Sequence, residues 1–313
     1  MRHLHLVPPD TKIDFIGLRR VAIVFSVLLM IASVGAFAAL GLNFGIDFRG
    51  GILIEAKTDG PADVPALRRD LGGLGLGEVQ IQEFGAPDDV LIRVQRQEGA
   101  EAEQLAAIET VKTALGSTVV EYRRTEFVGP KVGAELIEAA TWAVLLAIGA
   151  ILVYIWFRFE WQFGVGAIIA LTHDVVATIG LFAVTGMEFN LATVAAILTI
   201  AGYSINDTVV IYDRVRENMR RYKKLALPDL LNLSVNHTLS RTILTSVTTL
   251  LALLALVILG GPIIRGFALA MIWGVLIGTY SSIYIAAPTL IALRVHRIGR
   301  SKGESGEAEE NPA

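Results

Sequence analysis

Three charged residues within or at the edge of long apolar stretches of this 313-residue chain are candidates for chemistry: Asp174, Asp207 and Arg241. A charged side chain at the centre of a membrane helix costs about 2.5–3.5 kcal/mol on insertion scales, so each needs a partner or a role. A carboxylate beside a movable guanidinium can alternate between a paired, ionised form and a protonated one. Arginine keeps its charge, so Asp207 would carry the proton. Thr199, Gly202, Tyr203, Asn206 and Asp207 follow the i, i+3, i+4, i+7, i+8 spacing of one helical face, with Ile197, Leu198, Ile200 and Ile205 largely elsewhere. That face is expected to look into the bundle interior. Arg241 opens the next-but-one apolar stretch after Asp174 at a depth matching Asp207. An Asp207–Arg241 proton relay is therefore expected, supported by a polar face of Asn206, Tyr203 and Thr208. Asp174 is a second-rank intramembrane acid, sharing a face with Gly166, Ala170 and Thr178. His173 adjoins it but should point about 100° away.

The same residues also fit plainer roles. Asp207 and Asn206 could be hydrogen-bonding glue between helices. Asp174 could be an acid tied into a close-packed interface, and Arg241 an anchor that snorkels to the membrane surface. An intramembrane aspartyl protease would need Asp174 and Asp207 to share one water. Their depths oppose this, with Asp174 about ten residues into its span and Asp207 about four from the end of its own.

Other chemistries find no residues. Cysteine is absent, histidine occurs five times, and neither HExxH nor GxxxxGK[ST] spacing is present. No catalytic group, metal ligand or cofactor is expected, and a net charge of −3 suggests no nucleic-acid role.

The elements that must position these residues are membrane helices. The chain is 53% hydrophobic and 18% charged, with a mean hydropathy of +0.58. About 20 apolar residues cross the hydrocarbon core as a helix. Six segments qualify, at 20–41, 135–157, 164–185, 190–211, 241–260 and 266–293. They are too long for barrel strands, and helices satisfy their own backbone groups in lipid. Positive charge sets the orientation. Arg2, Lys12, Arg19 and Arg20 precede span one; Arg158 follows span two. Arg214, Arg216, Arg220, Arg221, Lys223 and Lys224 lie in a loop of 212–240; Arg294, Arg297, Arg300 and Lys302 follow span six. The opposite short loops hold Arg265. The tails of 1–19 and 294–313 are thus expected to be cytoplasmic, and 42–134 outside. Ala36-Phe37-Ala38 resembles a signal-peptidase site, but the apolar run and the tail before it favour an uncleaved anchor. Residues 299–313, rich in Gly, Ser and Glu, read as a disordered tail.

Between spans one and two, residues 42–134 carry 15 Asp and Glu against 10 Lys and Arg. Strands are expected over 52–57, 78–84, 89–95 and 118–127, the middle two across a Gly85-Ala86-Pro87-Asp88 turn. Helices are expected over 63–71 and 101–115, the second burying Leu105, Ile108, Val111 and Leu115. The order βαββαβ fits a small ferredoxin-like α+β unit. The fold class is an α-helical membrane protein with six transmembrane helices and this domain between the first two. In the last span, Gly266, Ala270, Gly274, Gly278 and Ser282 form a ladder of small residues that invites another helix, from this chain or a partner.

Several segments together resemble the SecD/SecF family. They are Phe44-Gly45-Ile46-Asp47-Phe48-Arg49-Gly50-Gly51, Tyr203-Ser204-Ile205-Asn206-Asp207-Thr208-Val209-Val210, Tyr212-Asp213-Arg214-Val215-Arg216-Glu217-Asn218, Ser240-Arg241-Thr242-Ile243-Leu244-Thr245-Ser246 and Gly260-Gly261-Pro262. Six spans with a large loop after the first match the family's SecF branch. The resemblance implies the RND superfamily, a bacterial inner membrane and a periplasmic loop domain. It implies a complex with SecD and association with the SecYEG translocon and YidC. It further implies use of the proton motive force to draw unfolded preproteins outward. The family's proton-path Asp falls on Asp207 and its essential Arg on Arg241. The rival functions are a structural scaffold for SecD and the translocon, and a half-size RND exporter of small molecules.

Overall fold

The computed structural model describes residues 11–99, 101–260, 262–293 and 295. Arg2, Arg294, Arg297, Arg300, Lys302 and the tail of 299–313 lie outside the described residues.

Helix α1 (Arg19–Leu40) leads through β1 (Asn43–Phe44) and α2 (Ile46–Arg49) into the α+β domain. That domain runs β2 (Gly51–Thr58), α3 (Val64–Gly72), β3 (Val79–Phe84), β4 (Ala86–Val94), α4 (Glu101–Leu115) and β5 (Val119–Val128). There follow α5 (Pro130–Arg158), α6 (Trp161–Thr185), β6 (Glu188–Phe189), α7 (Leu191–Arg221), α8 (Leu227–Leu259) and α9 (Pro262–Ser281). A π turn over Ser282–Ala286 carries α9 into α10 (Ala287–Ala292). Among the described residues six helices are long and apolar enough to cross a membrane, the last being α9 and α10 together.

The peripheral helices α1 and α5 turn large apolar side chains outward, while Phe163, Phe182 and Ile200 fill the interior of the bundle. On α1, Val21, Leu28 and Ile31 face outward while Ala22, Ser26 and Ser33 are buried. On α5, Leu146, Trp156 and Phe157 are exposed. Lipid tails are as apolar as leucine, so burying large side chains gains little there, and close approach of small residues decides the packing. A Cβ at Gly180 of α6 would fall 2.4 Å from Ser33 Cβ of α1. A Cβ at Gly274 of α9 would fall 2.2 Å from Ile200 Cγ1, and one at Gly278 would fall 3.0 Å from Ser204 Cβ. The ladder on the last span therefore packs within the chain, against α7.

Two spans are longer than hydropathy suggests. The stretch of 212–240, expected as a loop, is helical except at 222–226. Charged residues continue α7 past Tyr212 because helix needs backbone hydrogen bonds, not apolar side chains. Asp207 and Arg241 thus sit near the middles of α7 and α8 rather than near their ends. At this end of the bundle Arg158 pairs with Asp213 at 2.6 Å, and Arg216 donates to Arg158 O at 3.0 Å. Asp14 accepts from Asn232 Nδ2 at 2.5 Å and Gly17 N–H at 2.8 Å. Those two bonds, Asn232 first, hold its carboxyl below the usual carboxylate range.

The α+β domain is a four-stranded antiparallel sheet in the order β3-β4-β2-β5. Helices α3 and α4 cover one face, burying Ile52, Ile54, Leu71, Ile92 and Val111. This is the ferredoxin-like arrangement. Two details differ from expectation. Leu105 is 49% exposed, and Gln104 and Ala107 join Ile108, Val111 and Leu115 on the buried face. The stripe lies about 100° from Leu105 around α4. The hairpin turns on Gly85 at φ 96°, so Ala86, Pro87 and Asp88 belong to β4.

The junction below the domain has no hydropathy signature. Asn43 and Phe44 pair in parallel with Glu188 and Phe189. Arg93 of β4 forms an ion pair with Glu188, and Asn43 Nδ2 donates to Gly186 O at 2.9 Å. Phe44, Phe48 and Phe189 meet at 5.8–6.0 Å between centroids. Glycine keeps the approach open at two positions, and only at the second does the backbone itself demand it. A Cβ on Gly45 would lie 2.3 Å from Glu188 Oε1, and one on Gly51 (φ 120°) 2.7 Å from Val94 O.

Gly274→Val should overpack the α7–α9 seam and cost about 1–3 kcal/mol. Gly266, with nothing within 4 Å of its Cβ position, should tolerate alanine. Thermal unfolding in detergent by fluorescence-detected size exclusion would show a lowered midpoint for the first alone.

Candidate functional site

Helix α7 is fixed at its start by a reciprocal cap. Asn190 Oδ1 accepts from Thr193 N–H at 3.1 Å, and Thr193 Oγ1 accepts from Asn190 N–H at 3.3 Å. Asp47 Oδ2 accepts from Leu191 N–H at 3.0 Å, which sets a carboxylate at the positive end of the helix dipole. Asp207 then follows about 24 Å along the axis.

Asp207 is 9% exposed. Its Oδ1 accepts from Thr242 Oγ1 at 2.6 Å, while Oδ2 is buried without a partner among the described residues. The expected Asp207–Arg241 ion pair is not formed. Residues 241 and 242 point about 100° apart on α8, so Thr242 meets the carboxylate and Arg241 turns to an exposed position.

The supporting face is also turned relative to expectation. Thr199, Gly202 and Asn206 are exposed, Tyr203 is half-buried, and Ile197, Ile200 and Ile205 are buried. The small residues of α9 draw the Ile200 and Ser204 face inward and leave the polar stripe at an open edge of the bundle. Tyr203 OH donates to Ser246 Oγ at 3.4 Å, and Ser246 Oγ lies 2.8 Å from Thr279 Oγ1. Thr208 is buried, its Oγ1 2.8 Å from Ser282 Oγ. Asn206 makes no side-chain hydrogen bond among the described residues, so Asn206 and Arg241 lie on the open side.

Asp174 is the better satisfied acid. It is fully buried, and Oδ2 accepts from Ser204 Oγ at 2.5 Å and Ser281 Oγ at 2.7 Å. Contrary to the expected divergence, His173 Nδ1 lies 3.0 Å from Asp174 Oδ1, and His173 Nε2 is buried without a partner among the described residues. One carboxylate thus joins α6, α7 and α9. The π turn starting at Ser282 follows Ser281, and π turns frequently mark functional sites. Ser281 reaches Asp174 while Ser282 reaches Thr208. Asp174 and Asp207 share no hydrogen-bonding partner among the described residues, which leaves the protease arrangement without a dyad.

Sequence spacing missed Thr242, Ser204 and Ser281. Thr242 and Ser204 lie in two of the segments singled out, beside the charged residues that drew attention. Ser281 carried no signal of its own, because small hydroxyl residues are ordinary in membrane helices.

Comparison with known proteins fits this geometry. Residues 107–296 match the model described as protein export membrane protein SecD/SecF, C-terminal, and residues 35–62 match the SecD/SecF GG motif. The chain belongs to the SecD/SecF family. A protein named protein translocase subunit SecF from Rickettsia bellii is 49% identical over 290 residues, covering 92% of this chain and 95% of that one. Its namesake from Rickettsia rickettsii is 49% identical over 292 residues, covering 92% and 94%. The crystal structure of SecDF from Thermus thermophilus, a translocon-associated membrane protein, superposes with a TM-score of 0.83 at 39% identity, over 92% of this chain. SecDF in its super-membrane-facing form gives 0.67 at 39% identity. This SecD/SecF-family chain spans 40% of the first SecDF chain's length. The GG motif contains Gly50 and Gly51, the second of which lets β2 pass Val94 O.

Asp174→Leu should leave the Ser204 and Ser281 hydroxyls short of an acceptor, at about 1–3 kcal/mol for each buried group left unpaired. Asp174→Asn keeps an acceptor oxygen and should lose less. Detergent melting of the two variants checks the order, and equal midpoints would contradict the clamp.

Proposed function

We propose that this chain is the SecF-type half of a SecDF complex and uses the proton motive force to assist export of unfolded preproteins through SecYEG. YidC is a further associate in this reading. The observation that carries it is Asp207: a buried carboxylate at mid-helix with one oxygen bonded to Thr242 and the other unpartnered. Such a group can take up a proton and redirect its hydrogen bond without breaking a tight ion pair. Arg241, on the same open edge, supplies the fixed positive charge.

The open edge also supports the pairing with SecD. Asn206 and Arg241 face outward beside apolar stretches of α7 and α8, where contact with lipid is costly. A partner helix bringing acceptors to that edge would complete the proton path, in keeping with a chain that spans 40% of the SecDF length. Asp174 is the second acid of this reading. Ser204, Ser282 and Thr208 link its surroundings to those of Asp207.

The direction of work follows from topology. Arg158, Arg214, Arg216, Arg220, Arg221 and Lys224 gather at the end opposite the α+β domain, which supports a reading in which that end and both termini are cytoplasmic. The membrane is then a bacterial inner membrane and the domain is periplasmic. A proton moving inward releases about 2.3 kcal/mol per 100 mV of membrane potential. Helix α7 carries Asp207 in its middle and meets Asp47 and the Glu188–Arg93 pair at its start. A shift of α7 on protonation would therefore reach the domain and move it against bound polypeptide.

Asp207→Asn should abolish stimulation of preprotein export by the proton motive force in inverted or proteoliposomal vesicles while leaving co-purification with the SecD-type partner intact. Full stimulation in that variant would sink the relay and leave the scaffold reading. Thr242→Val should reduce the same stimulation, and Thr242→Ser should restore it.

A further inference from the structure

We propose that the junction between the α+β domain and the helices binds a phospholipid with a primary-ammonium headgroup. In this assignment one acyl chain lies between α5 and α7, and the phosphate lies on Arg49 and Arg96. The proposal stands apart from the proton relay and uses none of its residues.

Two cavities meet at this junction. The first is an apolar crevice of about 460 Å³, walled by Ile137, Val144 and Leu145 of α5 with Phe48, Phe189 and Val194. Ile137 and Leu145 are 46% and 56% exposed, so the crevice opens sideways, towards lipid. The second is a polar cavity of about 520 Å³ on the domain side, lined by Arg49, Arg93, Arg96, Glu78 and Glu98 among others. Phe44 and Arg49 line both. Each falls within the 300–1,000 Å³ typical of small-molecule sites. An apolar and a charged cavity that share Phe44 and Arg49 at the end of the membrane helices suit an amphiphile, chain in one and headgroup in the other.

The charges choose the headgroup. Arg93 is already engaged by Glu188 and Asn43. Arg49 and Arg96 are exposed, and neither has an ion-pair partner among the described residues. Arg49 lines both cavities, and an arginine can lay an apolar stem on one surface while its guanidinium meets a polar one. A planar guanidinium fork suits a phosphate. Glu78 and Glu98 line the same cavity, Glu78 taking one bond from Gln80 Nε2 at 2.7 Å. Two free guanidiniums beside two carboxylates match a headgroup that carries a phosphate and a hydrogen-bonding ammonium. A purely anionic headgroup leaves the carboxylates opposed, and a quaternary ammonium gives them no donor.

The test reconstitutes the full chain in nanodiscs of equal parts phosphatidylethanolamine, phosphatidylcholine and phosphatidylglycerol, followed by native mass spectrometry. The expected result is retention of a single phosphatidylethanolamine, favoured about tenfold over phosphatidylcholine and lost about tenfold in Arg49→Ala/Arg96→Ala, each equivalent to about 1.4 kcal/mol. Equal retention of the three lipids, or preference for phosphatidylglycerol, overturns the assignment. Because the double variant could fold poorly, a photocrosslinker at Val144 in the otherwise unchanged chain gives a second reading in cells. A lipid adduct supports the site. An adduct only to protein, whether a partner helix or a translocating polypeptide, overturns it.

Discussion

Every buried polar group in this bundle must find its partner inside the protein, because hydrocarbon offers none. Asp174 meets that demand with hydroxyls from two neighbouring helices and the adjacent imidazole. The close approach that lets Ser204 and Ser281 reach it depends on Gly274 and Gly278, which bring α9 onto α7. That contact sets the rotation of α7, and the rotation decides which residues are inside. Asp207 ends up at the margin, half satisfied, and Asn206 and Arg241 end up beyond it. The contrast between one completed acid and one incomplete acid follows from a single helix–helix seam.

The seam also explains what the sequence could and could not reveal. Six spans were legible because each is a long apolar run. The βαββαβ domain was legible because short alternating segments are separated by glycine and proline. Asp207 and Arg241 stood out as charges in apolar surroundings. Their relative orientation did not, since helical spacing tells which residues share a face but not which face is buried. In water the apolar face goes inward. In lipid both faces of α7 are permissible, and small residues on α9 made the choice. The same gap hid Thr242 behind Arg241, and the helical continuation of α7 and α8 behind charges that resemble a loop. Leu105 shows the related error in the aqueous domain, where an apolar residue one step around α4 was mistaken for core.

The junction shows how distant parts are tied together. Two residues of β1 pair with two of β6, and around them sit the Arg93–Glu188 ion pair, the Asp47 bond to the start of α7 and three phenylalanine rings. Glycine at 45 and 51 permits the approach. Hydropathy sees none of this, because the residues are few and their partners lie far away in sequence. The result is that a domain and a helix separated by most of a hundred residues share one set of hydrogen bonds. Small displacements of a rigid helix can then appear at the domain without any flexible linker between them.

The uncovered polar edge of α7 and α8 has a consequence for the life of the protein in a cell. A membrane chain that displays asparagine and arginine on an open helix face favours company able to cover them. Copies made in excess of whatever covers that edge would leave those polar groups facing lipid, at a cost that assembled copies avoid. Production of the chain and its companion in matched amounts would keep that edge covered from the start.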